Sequence, residues 1–110
     1  METNKRIKFN YFYRDAGNYK VHGNVVFDNP DNIDINILEG EIRKHLIDSE
    51  FFEPEELKIP RLKHNDFPYD PDLDHSWNEF DSIEETTEEL TDKRSINEFL
   101  LSLTSSLNYL

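Results

Sequence analysis

A chain of 110 residues has the size of a single domain, and its eight Phe, five Tyr and one Trp supply apolar bulk that disordered chains lack. The sequence contains no cysteine, which excludes disulfides and thiolate nucleophiles. The formal net charge is −12 and the only basic cluster consists of Lys5, Arg6 and Lys8, so we expect no direct binding of nucleic acid.

No segment suggests export or membrane insertion. The N-terminus leads into an alternating segment instead of an apolar signal core, and no stretch approaches the roughly 18 apolar residues of a membrane span. We therefore expect a cytoplasmic protein that makes no membrane contact. A single α+β domain is predicted over residues 1–110, with its core at about 7–85 and a C-terminal helix at about 92–108. The sequence leaves the oligomeric state open.

The first predicted element is a β-hairpin. Residues 7–14 alternate between apolar and polar side chains, and a second extended run covers residues 19–27 after a turn rich in Asp, Gly and Asn. Phe12 breaks the alternation, so we expect the second face of the first strand to be partly covered. Gly23 in the second strand predicts a bulge or a close approach of backbone.

Asp34 is predicted to cap a helix. This helix carries apolar side chains at intervals of three and four, namely Ile35, Leu38, Ile42 and Leu46. Gly40 lies within it and indicates either a close helix crossing or simple tolerance, of which we favour tolerance. Phe51 and Phe52 are predicted core anchors, and residues 54–57 have the composition of a short helical turn that begins with Pro.

Residues 77–85 are compatible with either a helix or a strand. Ser76 and Glu79 have the spacing of a capping box, which favours a helix. A helix is also favoured by large apolar side chains that recur every three residues, namely Trp77, Phe80 and Ile83. The β-branched pair Thr86 and Thr87 favours an extended chain. We predict a strand, because a hairpin alone is marginally stable and needs a third strand or a covering helix.

The last predicted element is a helix capped by Thr91. Its apolar stripe, typical of a helix face that packs on a core, consists of Ile96, Phe99, Leu100, Leu103 and Leu107. The alternative is that this stripe forms an interface between copies of the chain. Together these elements predict an α+β fold in which a small antiparallel sheet, the N-terminal hairpin plus a possible third strand, packs against one or two helices.

Two segments carry a resemblance to known proteins. They read YFYRD-x-x-NYK over residues 11–20 and DH-x-W-x-EF over residues 74–80. The chain resembles a group of small uncharacterised bacterial proteins in these segments. The resemblance covers about residues 7–85 and implies a compact α+β unit with an added tail helix, and it transfers no catalytic residue.

The charge is concentrated in one segment. Residues 66–89 contain ten carboxylates and no Lys or Arg, which predicts a local field that attracts cations or basic proteins. We expect Trp77, Phe80 and Phe67 to act as apolar anchors, and Arg14 and Tyr19 to form a small patch at the hairpin tip. The predicted partner-binding residues are Asp70, Asp72, Asp74, Trp77, Glu79, Phe80, Asp81, Arg14 and Tyr19.

Two groups of residues could instead hold a cation. Asp70, Asp72 and Asp74 alternate as at the start of a calcium loop and Asp81 takes the twelfth place, but His75 occupies the sixth place, where the turn needs Gly. A zinc or manganese site could be built from His64, Asp66, Asp74 and His75, although their spacing fits no known template. The simpler interpretation of both is a solvated acidic loop, and no metal ligand is assigned.

Three functions compete on these features. The leading interpretation is a non-catalytic protein-interaction module whose acidic segment engages a protein partner with a basic surface. A second is an inhibitor that mimics nucleic acid, since closely spaced carboxylates imitate the one charge per about 1.7 Å of B-DNA. A third is a cation-binding protein or a metal-dependent hydrolase. No catalytic residue or cofactor is assigned, because no nucleophile with its base and no glycine-rich phosphate motif is visible.

Overall fold

A computed structural model describes residues 6–14, 17, 19–62 and 77–107, the side chains of 105–107 excepted. These residues form an α+β fold, which confirms the predicted class. In chain order the elements are β1 (Arg6–Arg14), β2 (Lys20–Asp28), α1 (Ile35–Lys44), β3 (Phe51–Phe52), α2 (Pro54–Leu57), β4 (Asn78–Thr86) and α3 (Ile96–Leu107). The described strands form an antiparallel sheet in the order β2-β1-β4-β3.

The central strand β1 is paired along both of its edges, and Tyr11 lies opposite Gly23 of β2 and Phe80 of β4. Because side chains alternate along a strand, the odd-numbered residues of β1 face one side of the sheet, here called the inner face, and the even-numbered residues face the outer face. The helices add their apolar residues to the inner-face cluster: Leu38, Ile42, Leu57, Ile96, Phe99 and Leu103. The predicted hairpin is confirmed.

Gly23 marks a close approach by a side chain. The β1–β2 register runs without a shift through this position, so β2 contains no bulge there. A Cβ atom on residue 23 would lie 2.8 Å from Cδ2 of Leu62, which is nearer than real carbon atoms approach. The missing side chain therefore makes room for Leu62 against the inner face.

The segment at 77–85 is a strand, as predicted, and a β-bulge explains why it also looked helical. The β1–β4 register shifts between Asn10, which lies opposite Ser82, and Tyr11, which lies opposite Phe80. Asp81 is the extra residue of the bulge. Its insertion turns both Phe80 and Ile83 towards the core, where they are 4% and 7% exposed. Two apolar residues three positions apart usually indicate a helix. Here they result from a strand that contains a β-bulge between them.

Helix α1 begins where the sequence predicts. The Asp34 side chain accepts a hydrogen bond of 2.9 Å from the Asn36 amide. A Cβ atom on Gly40 would meet nothing within 4 Å, so this glycine reflects tolerance and no close crossing. The helix ends at Lys44, and Asp48 and Ser49 then adopt positive φ angles in the turn that leads into β3. Neither the turn nor the two-residue strand β3 was predicted.

Helix α3 begins later than predicted and has a different cap. The Ser95 hydroxyl accepts a hydrogen bond of 3.2 Å from the Glu98 amide, and the Glu98 carboxylate accepts one of 3.1 Å from the Ser95 amide. This reciprocal pair is a capping box. The Thr91 hydroxyl instead accepts a hydrogen bond of 2.8 Å from the amide of Val26 in β2. Thr91 therefore bonds to the edge of the sheet and does not cap α3, so the predicted helix cap was wrong.

The link between β4 and α3, residues 87–95, is here called the crossing segment. Its Glu88 contacts Lys8 and Arg6 on β1, with a Lys8 Nζ to Glu88 Oε2 distance of 2.8 Å. The amides of Thr91 and Asp92 then donate to the carbonyl of Val26 at 3.1 and 3.2 Å. The segment therefore passes β1 and pairs with the far edge of β2 before the chain enters α3.

An ion pair holds the crossing segment against the core. The Arg94 guanidinium donates to the Asp92 carboxylate at 2.7 and 3.0 Å, and its Cζ lies 5.4 Å from the centroid of the Phe99 ring and 5.6 Å from that of Phe27. The hydrogen bond from Arg94 lowers the pKa of Asp92 below its ordinary value of 3.8, against a smaller opposing effect of burial. The charged form of Asp92 is therefore part of the folded state.

We expect Phe99→Ala to lower the free energy of unfolding by about 3–5 kcal/mol, because the ring is fully buried and stacks on Phe27 at 4.5 Å. Leu101→Ala in the same helix is the matched control, since Leu101 is 68% exposed. Its effect should stay within about 0.5 kcal/mol. Urea unfolding measures both, and equal effects would contradict the placement of α3 in the core.

We expect Asp92→Asn to lower stability at neutral pH by about 1 kcal/mol or more, because Arg94 loses a charged acceptor. The pKa of Asp92 is lower in the folded chain than in the unfolded chain, so its stabilisation is present above pH 3.8 and is lost as the pH falls through the lowered value. The stability difference between wild type and variant should therefore narrow below about pH 4. Urea unfolding over a pH series checks this, and a difference independent of pH would contradict it.

Candidate interaction surface

The predicted partner-binding residues divide into two sets. Three of them lie outside the described residues, namely Asp70, Asp72 and Asp74. The others lie on or beside β1, β2 and β4 near the hairpin end of the sheet, and these are Arg14, Tyr19, Trp77, Glu79, Phe80 and Asp81. The structure therefore brings the hairpin tip and the acidic strand together, although they are far apart in the sequence.

Arg14 binds a carboxylate of its own chain. Its Nε donates to Glu79 Oε2 at 3.1 Å, across the β1–β4 pairing. The Glu79 side chain is 9% exposed and the Arg14 side chain 39% exposed. The sequence predicted Arg14 as part of a small partner-binding patch at the hairpin tip, and Glu79 supplies a carboxylate for it within the fold. A charge this buried needs such a partner, because desolvation of a lone carboxylate is costly.

Phe12 is the apolar centre of the outer face at this end. It is 8% exposed although it points away from the core, which confirms that the second face of β1 is partly covered. Arg14 Cζ lies 5.5 Å from its ring centroid, Lys20 Nζ lies 5.2 Å from it, and the His22 ring lies 5.6 Å from it. Cations over a ring face are attracted by its quadrupole. Tyr19, next to this group, is 62% exposed.

Trp77 and Phe51 form an aromatic pair at the margin of the sheet. Their ring centroids are 5.7 Å apart with an angle of 34° between the planes. Trp77 is 38% exposed, so the pair combines a packed ring with a large accessible apolar area. Phe51 comes to this place through β3, where it lies opposite Glu79. A two-residue strand has no periodicity to detect, so the sequence did not indicate that Phe51 belongs to this surface.

Phe80 and Asp81 take opposite positions at the bulge. Phe80 is 4% exposed and lies in the core, with Arg43 Cζ 4.7 Å from its ring centroid. It is therefore a core residue in this structure and is not on the surface as the predicted anchor. Asp81 is exposed. The bulge thus buries one predicted contact residue and presents the other.

Lys8 of β1 lies near one carboxylate of β4 and one carboxylate that follows β4. Lys8 Nζ lies 2.8 Å from Glu88 Oε2 and 3.9 Å from Glu84 Oε1. The hydrogen bond between Lys8 and Glu88 raises the pKa of Lys8 and lowers the pKa of Glu88. The negative charge of Glu88 is therefore balanced by a cation of the same chain.

Partly or fully exposed residues of β3, of β4 and of the position just before β4 define the candidate site, here called the β4 margin. It consists of Phe51, Trp77, Asp81, Glu84 and Glu85. Asp81 and Glu85 are exposed, and the Glu84 side chain is 57% exposed. The margin is therefore an aromatic pair followed by three carboxylates along one strand, of which the neighbours Glu84 and Glu85 project to opposite faces of the sheet. Such a surface can bury an apolar group and pair with Lys or Arg.

The metal hypotheses concern residues that are mostly outside the described ranges, namely His64, Asp66, Asp70, Asp72, Asp74 and His75. Within residues 6–14, 17, 19–62 and 77–107, no three His, Asp or Glu side chains are grouped as a metal site. None of the helices in those ranges is long and apolar enough to cross a bilayer.

Comparison with protein-family models, with curated protein sequences and with solved structures finds no match for this chain.

The Arg14–Glu79 pair predicts unequal effects of two substitutions. Arg14→Met leaves Glu79 charged and nearly buried, so we expect it to lower the free energy of unfolding by about 1–3 kcal/mol. Glu79→Gln removes that charge, so it should cost less. Urea unfolding at neutral pH compares them, with Arg14→Met/Glu79→Gln as the control that should recover part of the loss. A double variant no more stable than Arg14→Met would contradict the electrostatic role of the pair.

Proposed function

We propose that this chain is a non-catalytic protein-binding module that engages a basic surface of a partner through the β4 margin. The observation that carries the proposal is the Trp77–Phe51 pair, which is packed at 5.7 Å yet leaves Trp77 38% exposed. A ring held by a neighbour loses little conformational entropy when a partner covers it. Trp residues at the centre of a contact surface are among the commonest sources of binding energy.

Charge supports the choice of a basic partner. Asp81, Glu84 and Glu85 follow the aromatic pair along β4, and Lys8 Nζ lies 3.9 Å from Glu84 Oε1. The whole chain carries a formal net charge of −12. A negative surface speeds encounter with a positive one and suppresses wrong pairings, while the aromatic pair supplies affinity.

The same placement of charges favours a protein-binding module over a mimic of nucleic acid. A mimic needs a continuous row of uncompensated carboxylates at the density of DNA phosphates. Arg14 pairs with Glu79 and Lys8 pairs with Glu88, so cations interrupt the row within the described residues. The carboxylates of the β4 margin lie beside an aromatic pair, which suits a mixed protein contact.

Capture from native lysate tests the proposal with two matched pairs of variants. We expect Trp77→Ala to lose most of the partner captured by wild type, whereas Leu101→Ala, at another exposed apolar residue, should retain it. Asp81→Asn/Glu84→Gln should weaken capture more than Glu39→Gln/Glu41→Gln, which changes the net charge equally on α1. Roughly 0.5 M salt should weaken the wild-type complex by screening exposed charges.

Two results would contradict the proposal. One is a captured protein that all four variants retain equally, because the contact would then lie elsewhere on the chain. The other is the absence of any protein whose capture depends on Trp77. A captured nuclease or repressor that competing DNA displaces would favour the mimic instead.

A further inference from the structure

The two outer edges of the sheet are treated differently. At the β2 edge, the Val26 amide donates to the Thr91 hydroxyl, and the Val26 carbonyl accepts hydrogen bonds from the amides of Thr91 and Asp92. At the other edge, β3 pairs only with Asn78 and Glu79 of the nine-residue strand β4. The strand β4 therefore continues well beyond the partner strand that covers its start.

The alternation of hydrogen bonds in antiparallel strands identifies which backbone groups face that second edge. The backbone N–H and C=O of Val26 bond to the crossing segment, on the side of β2 away from β1. Lys8, which lies opposite Val26, therefore directs its own N–H and C=O towards β4, and so do the other even-numbered residues of β1. Ser82 and Glu84, which lie opposite Asn10 and Lys8, therefore bond to β1.

Ile83, between Ser82 and Glu84, consequently directs its N–H and C=O away from β1. Phe80 supports this assignment independently, because its amide donates to the Glu50 carbonyl on the β3 side at 2.7 Å. On the side of β4 that faces away from β1, no described residue forms a hydrogen bond with the backbone of Ile83. A strand edge of this kind is a template for pairing with another extended chain.

We propose that this edge of β4, centred on Ile83, binds an extended basic segment of the partner as an added strand. The inference rests on the proposed function and names how the partner is held. Added strands gain affinity from main-chain hydrogen bonds and specificity from the side chains that flank the edge. The flanking side chains here are the exposed carboxylates Asp81 and Glu84.

Charge selects the occupant of the edge. A second copy paired antiparallel about Ile83 would place Asp81 of each copy opposite Glu85 of the other, and like charges directly across strands are destabilising. A segment with Lys or Arg at alternate positions would place opposite charges beside these carboxylates instead. The acidic edge thus disfavours self-association and favours a basic strand.

A short peptide that alternates Lys with Val or Thr is a suitable probe, with acetylated and amidated ends. Its matched control has the same charge and length but carries Pro at the central Val or Thr, which removes a donor and disrupts strand pairing. Amide hydrogen exchange, resolved by NMR, reports each backbone group of the full chain. In the free protein, the Ile83 amide should exchange faster than those of Ser82 and Glu84, because only the latter two bond to β1.

With peptide at about ten times its dissociation constant, exchange at Ile83 should slow about tenfold, and the Pro control should have little effect. A protected Ile83 amide in the free protein would overturn the inference, as would the absence of peptide binding. Binding that shifts Trp77 and the carboxylates without slowing Ile83 exchange would also overturn it, while leaving the proposed function intact. Loss of Trp77-dependent capture from lysate is a separate result and concerns only the proposed function.

Discussion

The pairing of β1 along both edges is the constraint on which the rest of the fold depends. Its alternation places Ile7, Phe9 and Tyr11 in the core, where each is at most 1% exposed. Burial of three such side chains contributes several kcal/mol, at about 1.5–3 kcal/mol for each large apolar group. The same alternation places Lys8 and Arg14 on the outer face, where they contact Glu84 and Glu79 of the acidic strand β4. One strand therefore organises both the core and the surface charge.

The β-bulge at Asp81 allows β4 to pair with β1 and still direct its large apolar side chains to the inner face. Without an extra residue, Phe80 and Ile83 would point to opposite faces, because their spacing is odd. With Asp81 inserted, both contribute to the inner face and the residues beyond the bulge remain in register with β1. The bulge also presents a carboxylate at the point where β3 ends. A feature that secures packing thereby shapes the proposed contact surface.

The crossing segment and the brevity of β3 give the sheet two unequal edges. Thr91 and Asp92 occupy the outward backbone groups of Val26, while Arg94 ties their segment to Phe27 and Phe99. The β4 edge beyond Glu79 has carboxylates beside it instead of a described strand. Acidic residues on an open edge prevent pairing between identical chains, and they leave the edge available to a chain of opposite charge. Under the proposed function, the same acidic residues would both prevent self-association and select the partner.

Local patterns in the sequence determined the hairpin, the Asp34 cap of α1, the proline-initiated turn α2 and the α+β class. These depend on side-chain alternation, helical periodicity and short-range capping bonds, all of which act within a few residues. The strand at 77–85 was predicted from the need of a hairpin for further cover, although its apolar spacing also fitted a helix. The concentration of acidic charge was likewise visible in the sequence alone.

Only the tertiary structure decided which distant residues meet. It paired Arg14 with Glu79 across 65 positions and assigned Thr91 to Val26 instead of to α3. It also brought Phe51 to Trp77 and buried Phe80. Such contacts depend on strand order and register, which are set by packing of the whole core and leave no periodic trace in any one segment. The sequence by itself therefore determined the longer elements and the charge, and the sheet register decided which of those residues form a surface.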